Sequence, residues 1–256
     1  MALEHRVATR YVLPLREGGS LPAIVDTEHG GQFVVKFRGA GQGPKALVAE
    51  VLAAELAEAL SLPVPQAAIV RMDEGFGESE PDAEIQDLLR GSTGKNFGLA
   101  YLPGALGFDP AADRKLVEGG LAAAIVWFDA LISNVDRTPR NANLLVWQGQ
   151  VWMIDHGASF YFHHGVSDWL GRAQDRFPMI KHHVLLGLAA SLEEADARLR
   201  PLLTEEVLSG AVGGVPGDWL GDGADGQRTA YVEYLAARIN GRPAWLEEAE
   251  GARRGS

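Results

Sequence analysis

The sequence contains no cysteine among its 256 residues. Disulfide staples, thiolate nucleophiles and cysteine–zinc sites are therefore excluded. No apolar run approaches the ~18 residues that a membrane-spanning helix needs. Residues 1–13 lack the apolar stretch of a secretory signal, so none is expected. Positive charge is scarce: 23 Lys and Arg stand against 34 Asp and Glu, a formal net charge of −11. That balance argues against wrapping nucleic acid or coating an anionic membrane, and a cytoplasmic setting is expected. Lysine is scarcer still, with five against 18 arginines. Four of the five (Lys45, Lys95, Lys115, Lys181) lie in polar or mixed surroundings, whereas Lys36 sits inside Phe33-Val34-Val35-Lys36-Phe37.

What is present is ordinary globular material, 46% hydrophobic and 22% charged. A chain this long buries a sizeable core without staples, as one large domain or two small lobes. The first ~37 residues read as an antiparallel meander: Val7–Leu15, a turn at Arg16–Ser20, Ala23–Val25, a turn at His29–Gln32, and Phe33–Phe37. Pro44 then opens a helix carrying Val48, Leu52 and Leu56. Pro63 and Pro65 follow it, Ala67–Met72 returns to strand, and the acidic stretch Asp73–Glu84 reads as a solvated loop before a short helix at Asp82–Leu89. Asp109-Pro110 predicts the start of a long helix through about Ile132, apolar nearly all round at its centre. Leu144–Trp147, Gln148-Gly149-Gln150 and Val151–Ile154 predict a hairpin. Helices are expected at about 177–190, 192–208 and 227–240. The seven glycines between Gly210 and Gly226 predict a long mobile loop, and residues 251–256 are expected to fray.

Three polar features stand against this background. A loop supplies Asp136 and, five residues on, Asn141, and the hairpin exit supplies Asp155. Hard oxygen donors of this kind suit Mg²⁺, which takes few protein ligands beside phosphate and water. A carboxylate in the same loop can orient a hydroxyl or accept its proton. Lys36, in an apolar strand, needs a carboxylate or an anionic ligand, and the next helix offers Glu50, Glu55 and Glu58. Asp136 and Asn141 are also ordinary turn formers, and Asn143 either assists Asn141 or caps the hairpin. His163-His164 and His182-His183 lack zinc spacing and read as structural. Asp129, inside the apolar helix, calls for a hydrogen bond to the Asp136 loop.

Lysine on a third strand, glutamate on the next helix, then Asp-x-x-x-x-Asn and Asp-x-Gly is the order of parts in a protein kinase. The sequence resembles the HipA-like kinases, a bacterial branch of the protein-kinase-like fold. The resemblance runs over about residues 18–160. It is carried by Phe33–Gly39, Gly43–Glu50, Leu62–Pro65, Asn96-Phe97-Gly98, Asn134–Leu145 and Ile154-Asp155-His156-Gly157. The Asp136 loop is its most specific stretch. Gly18-Gly19-Ser20 is its weakest, lacking the longer G-x-G-x-x-G pattern. Asn134-Val135-Asp136 stands where kinases commonly have His-Arg-Asp, and Asp155-His156-Gly157 where they have Asp-Phe-Gly. HipA toxins carry further N- and C-terminal segments, so neither a toxin role nor a DNA-binding partner is assumed.

The resemblance implies roles residue by residue. Lys36 would hold the α- and β-phosphates of ATP, with Glu50 as its ion-pair partner, although the helical stripe favours Glu55. Asp136 would be the catalytic base, and Asn141 and Asp155 would bind Mg²⁺. Gly18, Gly19 and Ser20 would cover the phosphates, and Phe97, Leu99 and Tyr101 would line a hinge beside adenine. The fold expected is α+β and two-lobed: a small antiparallel-sheet lobe with one helix (about 1–95), a hinge (about 96–103) and a mainly helical lobe (about 104–256). The expected function is ATP- and Mg²⁺-dependent transfer of a phosphoryl group to a protein Ser or Thr. A small-molecule kinase of the same fold and an inactive nucleotide-binding pseudokinase are the alternatives. No nucleic acid or membrane partner is expected.

Overall fold

The computed structural model describes residues 3–15, 21–165, 169–240 and 243–255. It is a mixed α+β structure. The first three strands, β1 (Glu4–Pro14), β2 (Ala23–Thr27) and β3 (Gln32–Lys36), form the antiparallel meander expected. The sheet is nevertheless not open. After α1 (Gly43–Ala59), β4 (Ala67–Met72) pairs in parallel with the first half of β1, Glu4–Val7. β5 (Gly94–Ala100) fills the gap between β3 and β4, and the five strands close into a barrel in the order β1-β2-β3-β5-β4. Closure is possible because β1 is 11 residues long and shifts register twice, so that it can serve β4 with one half and β2 with the other. The barrel interior holds Ala23, Val25, Phe33, Val35, Ala68 and Val70. Gly98 is required where the wall crosses them: a Cβ there would lie 2.7 Å from Val70 Cγ2. The short helix α2 (Ala83–Arg90) sets Leu89 in the same cluster, and the Asp82 carboxylate caps it by accepting from the Glu84 and Ile85 N–H groups.

α1 carries Pro44 in its first turn, as its sequence predicts, but it has no solvent stripe. Residues 46–57 are all buried, because one side meets β4 and β5 and another meets two helices from the far end of the chain, Glu205–Gly213 and Gly217–Leu220. Ile69, Phe97 and Leu99 face this larger core.

Beyond β5 and the short β6 (Leu106–Gly107), several predicted helices are shorter than their patterns suggest. Asp109 does cap, accepting from Ala111 N–H at 2.7 Å and Ala112 N–H at 3.0 Å. Its turn ends after Arg114–Leu116, and α3 (Gly119–Leu131) begins separately, past Glu118, with every residue from Ala122 onward buried. The hairpin is as predicted, β7 (Leu144–Trp147) and β8 (Gln150–Met153), and joins β6 in a small sheet. Residues 177–190 form only short turns, Pro178–His182 and Leu186–Leu188. Long-range bonds win there: the Val184 N–H goes to the Arg137 carbonyl and the His183 ring to Asp129. The helix expected at 192–208 is two, α4 (Leu192–Leu199) capped by Ser191 and α5 (Glu205–Gly213) capped by Thr204, split around Pro201.

The glycine-rich stretch is not a long loop. α5 runs through Gly210, α6 spans Gly217–Leu220, and α7 (Ala224–Ile239) begins after turns in which Gly221 and Gly223 take φ of +72° and +85°. The C-terminal residues do not fray through Arg254 but form α8 (Ala244–Arg254). Arg238 of α7, buried, donates to the Ala130 and Leu131 carbonyls and so closes the C-terminus of α3. No described helix is long and apolar enough to cross a membrane.

Candidate active site

Lys36 is the last residue of β3, and α1 lies directly behind it. Its ammonium contacts Glu50 Oε1 of α1 and Asp155 Oδ1, the latter at 2.5 Å. Burial opposes the charge on Lys36, but the two carboxylates outweigh it and push its pKa up to about 12. Burial pushes Glu50 up, with Lys36 pulling against it. Asp155 is held low: burial alone would raise it, and Lys36 more than compensates. Glu50, not Glu55, is thus the partner. Glu55 sits further along α1, beside Gly214. Helical-wheel reasoning pointed the other way because it presumed a helix with one wet face.

Asp155 follows β8 and takes a left-handed backbone, φ +57°, uncommon for a residue other than glycine. Gly157 then passes close to α1: a Cβ there would lie 3.3 Å from Glu50 Oε1. A side chain at this point would press on the carboxylate that holds Lys36.

The Asp136 loop is a tight turn, closed by Thr138 and Asn141 bonding each other and by the Thr138 N–H on the Asp136 carbonyl at 2.9 Å. The side-chain amide of Asn141 donates to Asp136 Oδ2 at 2.8 Å, and that of Asn143 to the same oxygen at 3.3 Å. Asp136 Oδ1 is left unbonded among the described residues. Asn141, having donated its amide N–H, keeps its carbonyl oxygen, and Asp155 keeps Oδ2. That is one carbonyl and one carboxylate oxygen, a donor set suited to a hard divalent cation that also takes phosphate oxygens. Among the described residues no group of three or more His, Asp or Glu forms a metal site on its own.

Beneath the loop lies a buried network in which only Asp129 was legible beforehand. Asp129 accepts from Arg137 Nε at 2.5 Å, from His183 Nε2 at 2.9 Å and from Asn134 Nδ2 at 3.0 Å. Arg137 also donates to the Asn143 and Ile154 carbonyls, the residues that flank the hairpin. One guanidinium therefore ties α3, the Asp136 loop and both ends of the hairpin together. The only sequence signal for it was an arginine next to Asp136 and an unpaired acid in an apolar helix.

Gly18, Gly19 and Ser20 lie outside the described residues. Phe97 is 1% exposed and Leu99 8%, so both side chains belong to the core rather than to an open surface. Residues 96–100 are strand, so the connection out of the barrel starts at Tyr101, which is half-buried and bonds its N–H to the Gln32 carbonyl. His163 bonds Tyr231 Oη at 2.8 Å and His164 at 3.1 Å, at the wall of a separate cavity of about 710 Å³.

Two buried histidines make folding sensitive to mild acid. Burial pushes both His156 and His163 down to about 3, against about 6.5 in the unfolded chain. The unfolded state therefore binds more protons between these values. Their contribution is complete above about pH 6.5 and is lost as pH falls toward 3, at up to ~1.4 kcal/mol per pH unit for each. Urea unfolding of the metal-free protein is expected to show a lower midpoint at pH 5 than at pH 7; an equal midpoint contradicts the neutral, buried assignment.

Residues 9–238 match the HipA-like kinase family, and the chain belongs to it. A solved structure with the same fold is the proinflammatory kinase CtkA of Helicobacter pylori. The likeness has a TM-score of 0.55 at 11% identity and covers 96% of this chain and 97% of that one. No curated protein sequence matches.

Proposed function

We propose that this HipA-like kinase uses ATP and Mg²⁺ to phosphorylate a serine or threonine hydroxyl of a protein. In this reading the barrel with α1 and α2 is the small lobe of a protein-kinase fold and the part after Tyr101 the large lobe, with ATP between them. The observation that carries it is the convergence of Lys36, Glu50 and Asp155 beside a carboxylate, Asp136, whose one oxygen is held by two amides.

Lys36, kept charged by its two partners, holds the α- and β-phosphates. Asn141 and Asp155 would hold Mg²⁺, which when bound supplies charge neutralisation to the phosphate oxygens. Asp136 orients the acceptor hydroxyl and takes its proton on Oδ1 as that oxygen attacks the γ-phosphorus. The bond from the γ-phosphorus to the bridging oxygen breaks, and ADP leaves with the electron pair. Tyr101 and the backbone around it would meet the adenine edge.

Nucleotide binding is tested by thermal unfolding. Mg²⁺·ATP is expected to stabilise the wild type by ~2.7 kcal/mol at 100 times Kd, raising its midpoint, and to do little for Lys36→Met. Acceptor class is tested by supplying labelled ATP with proteins and, separately, with small hydroxyl compounds. Label in protein phosphoserine or phosphothreonine supports the proposal; label confined to a small molecule overturns the acceptor assignment.

A further inference from the structure

Asn143 belongs neither to the metal pair nor to the base, yet it reaches both sides of the site. It stands in left-handed backbone, φ +48°, a region that Asn tolerates better than most residues. Its carbonyl accepts from the Ile154 N–H at 3.0 Å and from the Arg137 guanidinium. Its side-chain amide has two N–H bonds directed two ways. Nδ2 lies 3.3 Å from Asp136 Oδ2 and 3.5 Å from the Asp155 carbonyl.

We propose that Asn143 is a positioning residue for phosphoryl transfer, registering the Asp136 carboxylate against the backbone of Asp155. A carboxylate held by one donor still turns about its Cβ–Cγ bond. Asp136 Oδ2 has two donors, Asn141 and Asn143, arriving from separate points of the turn. Together they fix the carboxylate plane and leave Oδ1 as the oxygen that meets the hydroxyl. The second N–H of Asn143 links that plane to Asp155, the residue that also meets Lys36. Base and phosphate clamp are thereby kept in one register, and near-attack geometry is sensitive to shifts of about 1 Å.

A simpler account of Asn143 is that the turn needs a residue tolerating φ +48°. Glycine would satisfy that need at least as well, so Asn143→Gly separates the two. The inference rests on the kinase reading above and is tested alongside it. With autophosphorylation or an identified acceptor as readout, Asn143→Gly is expected to lower kcat roughly 10- to 100-fold. KM for ATP and the Mg²⁺·ATP thermal shift should stay unchanged. Asn143→Asp, which keeps the shape but removes the donor and adds a like charge, should lose at least as much. Wild-type kcat in Asn143→Gly overturns the proposal.

A second measurement does not depend on turnover. Urea unfolding of Asn143→Gly, Asp136→Ala and the double variant is expected to be non-additive, because the two side chains share a bond. Strict additivity overturns the proposal. If the wild type transfers no phosphoryl group at all, the kinase reading fails, and this cycle still decides whether Asn143 holds Asp136.

Discussion

Asp136→Asn is expected to reduce phosphoryl transfer by roughly 100- to 10,000-fold, the range that a positioned acid–base group supplies, while leaving the Mg²⁺·ATP thermal shift in place. The variant preserves shape. Its amide can turn its oxygen toward Asn141 and Asn143 and keep the bonds that now reach Oδ2. What it would lose, in the mechanism proposed above, is the oxygen that takes the proton of the acceptor. Single-turnover phosphorylation with labelled ATP, wild type beside variant, reads this directly. Equal labelling would mean that the carboxylate is not the base and that the chemistry lies elsewhere in the fold.

The second large effect is on stability. Arg137→Met is expected to cost about 3–5 kcal/mol, because it leaves the Asp129 carboxylate buried without its principal counter-charge. Both partners are fully buried. Burial by itself would raise Asp129, but Arg137 and His183 hold its carboxyl well below the ordinary range. A depressed carboxyl stabilises the fold above its unfolded pKa of about 3.9 and gives that stability up as pH falls below it. In the variant this acid-sensitive part should shrink. Replacing both partners, Asp129→Leu with Arg137→Met, should recover much of the loss, since a hydrophobic pair leaves no unpaired charge. Urea unfolding of the two variants measures it. A single variant as stable as the wild type would show that the pair carries no such load.

Much of the site was legible because its chemistry is local. Asp136 and Asn141 lie in one turn and Asp155 ends the adjoining hairpin, so their spacing announced a shared site. Lys36 was conspicuous as a charge in an apolar strand. What escaped depends on contacts made from far along the chain. The parallel pairing of Glu4–Val7 with Ala68–Arg71 leaves no mark on either strand, and it turns an open sheet into a barrel. The helix expected at 177–190 fails because His183 and Val184 are claimed by Asp129 and Arg137. Glycines at 210–226 looked like slack. Gly214 instead closes the end of α5 beside α1, where a Cβ would meet the Glu55 side chain at 3.8 Å, an ordinary van der Waals contact. Arg137 was overlooked because nothing local shows that its guanidinium turns inward.

The seat of α1 has a consequence for how the lysine is gripped. Drawing Glu50 away from Lys36 by swinging the helix would bring Val48, Val51, Leu52 and Leu56 into water, each worth about 1.5–3 kcal/mol. The two jaws of the grip are therefore unequal. The Glu50 side chain is 1% exposed and anchored in the core, whereas that of Asp155 is 42% exposed. One jaw is set in the core and the other faces solvent, so any loosening of the vise would begin on the Asp155 side.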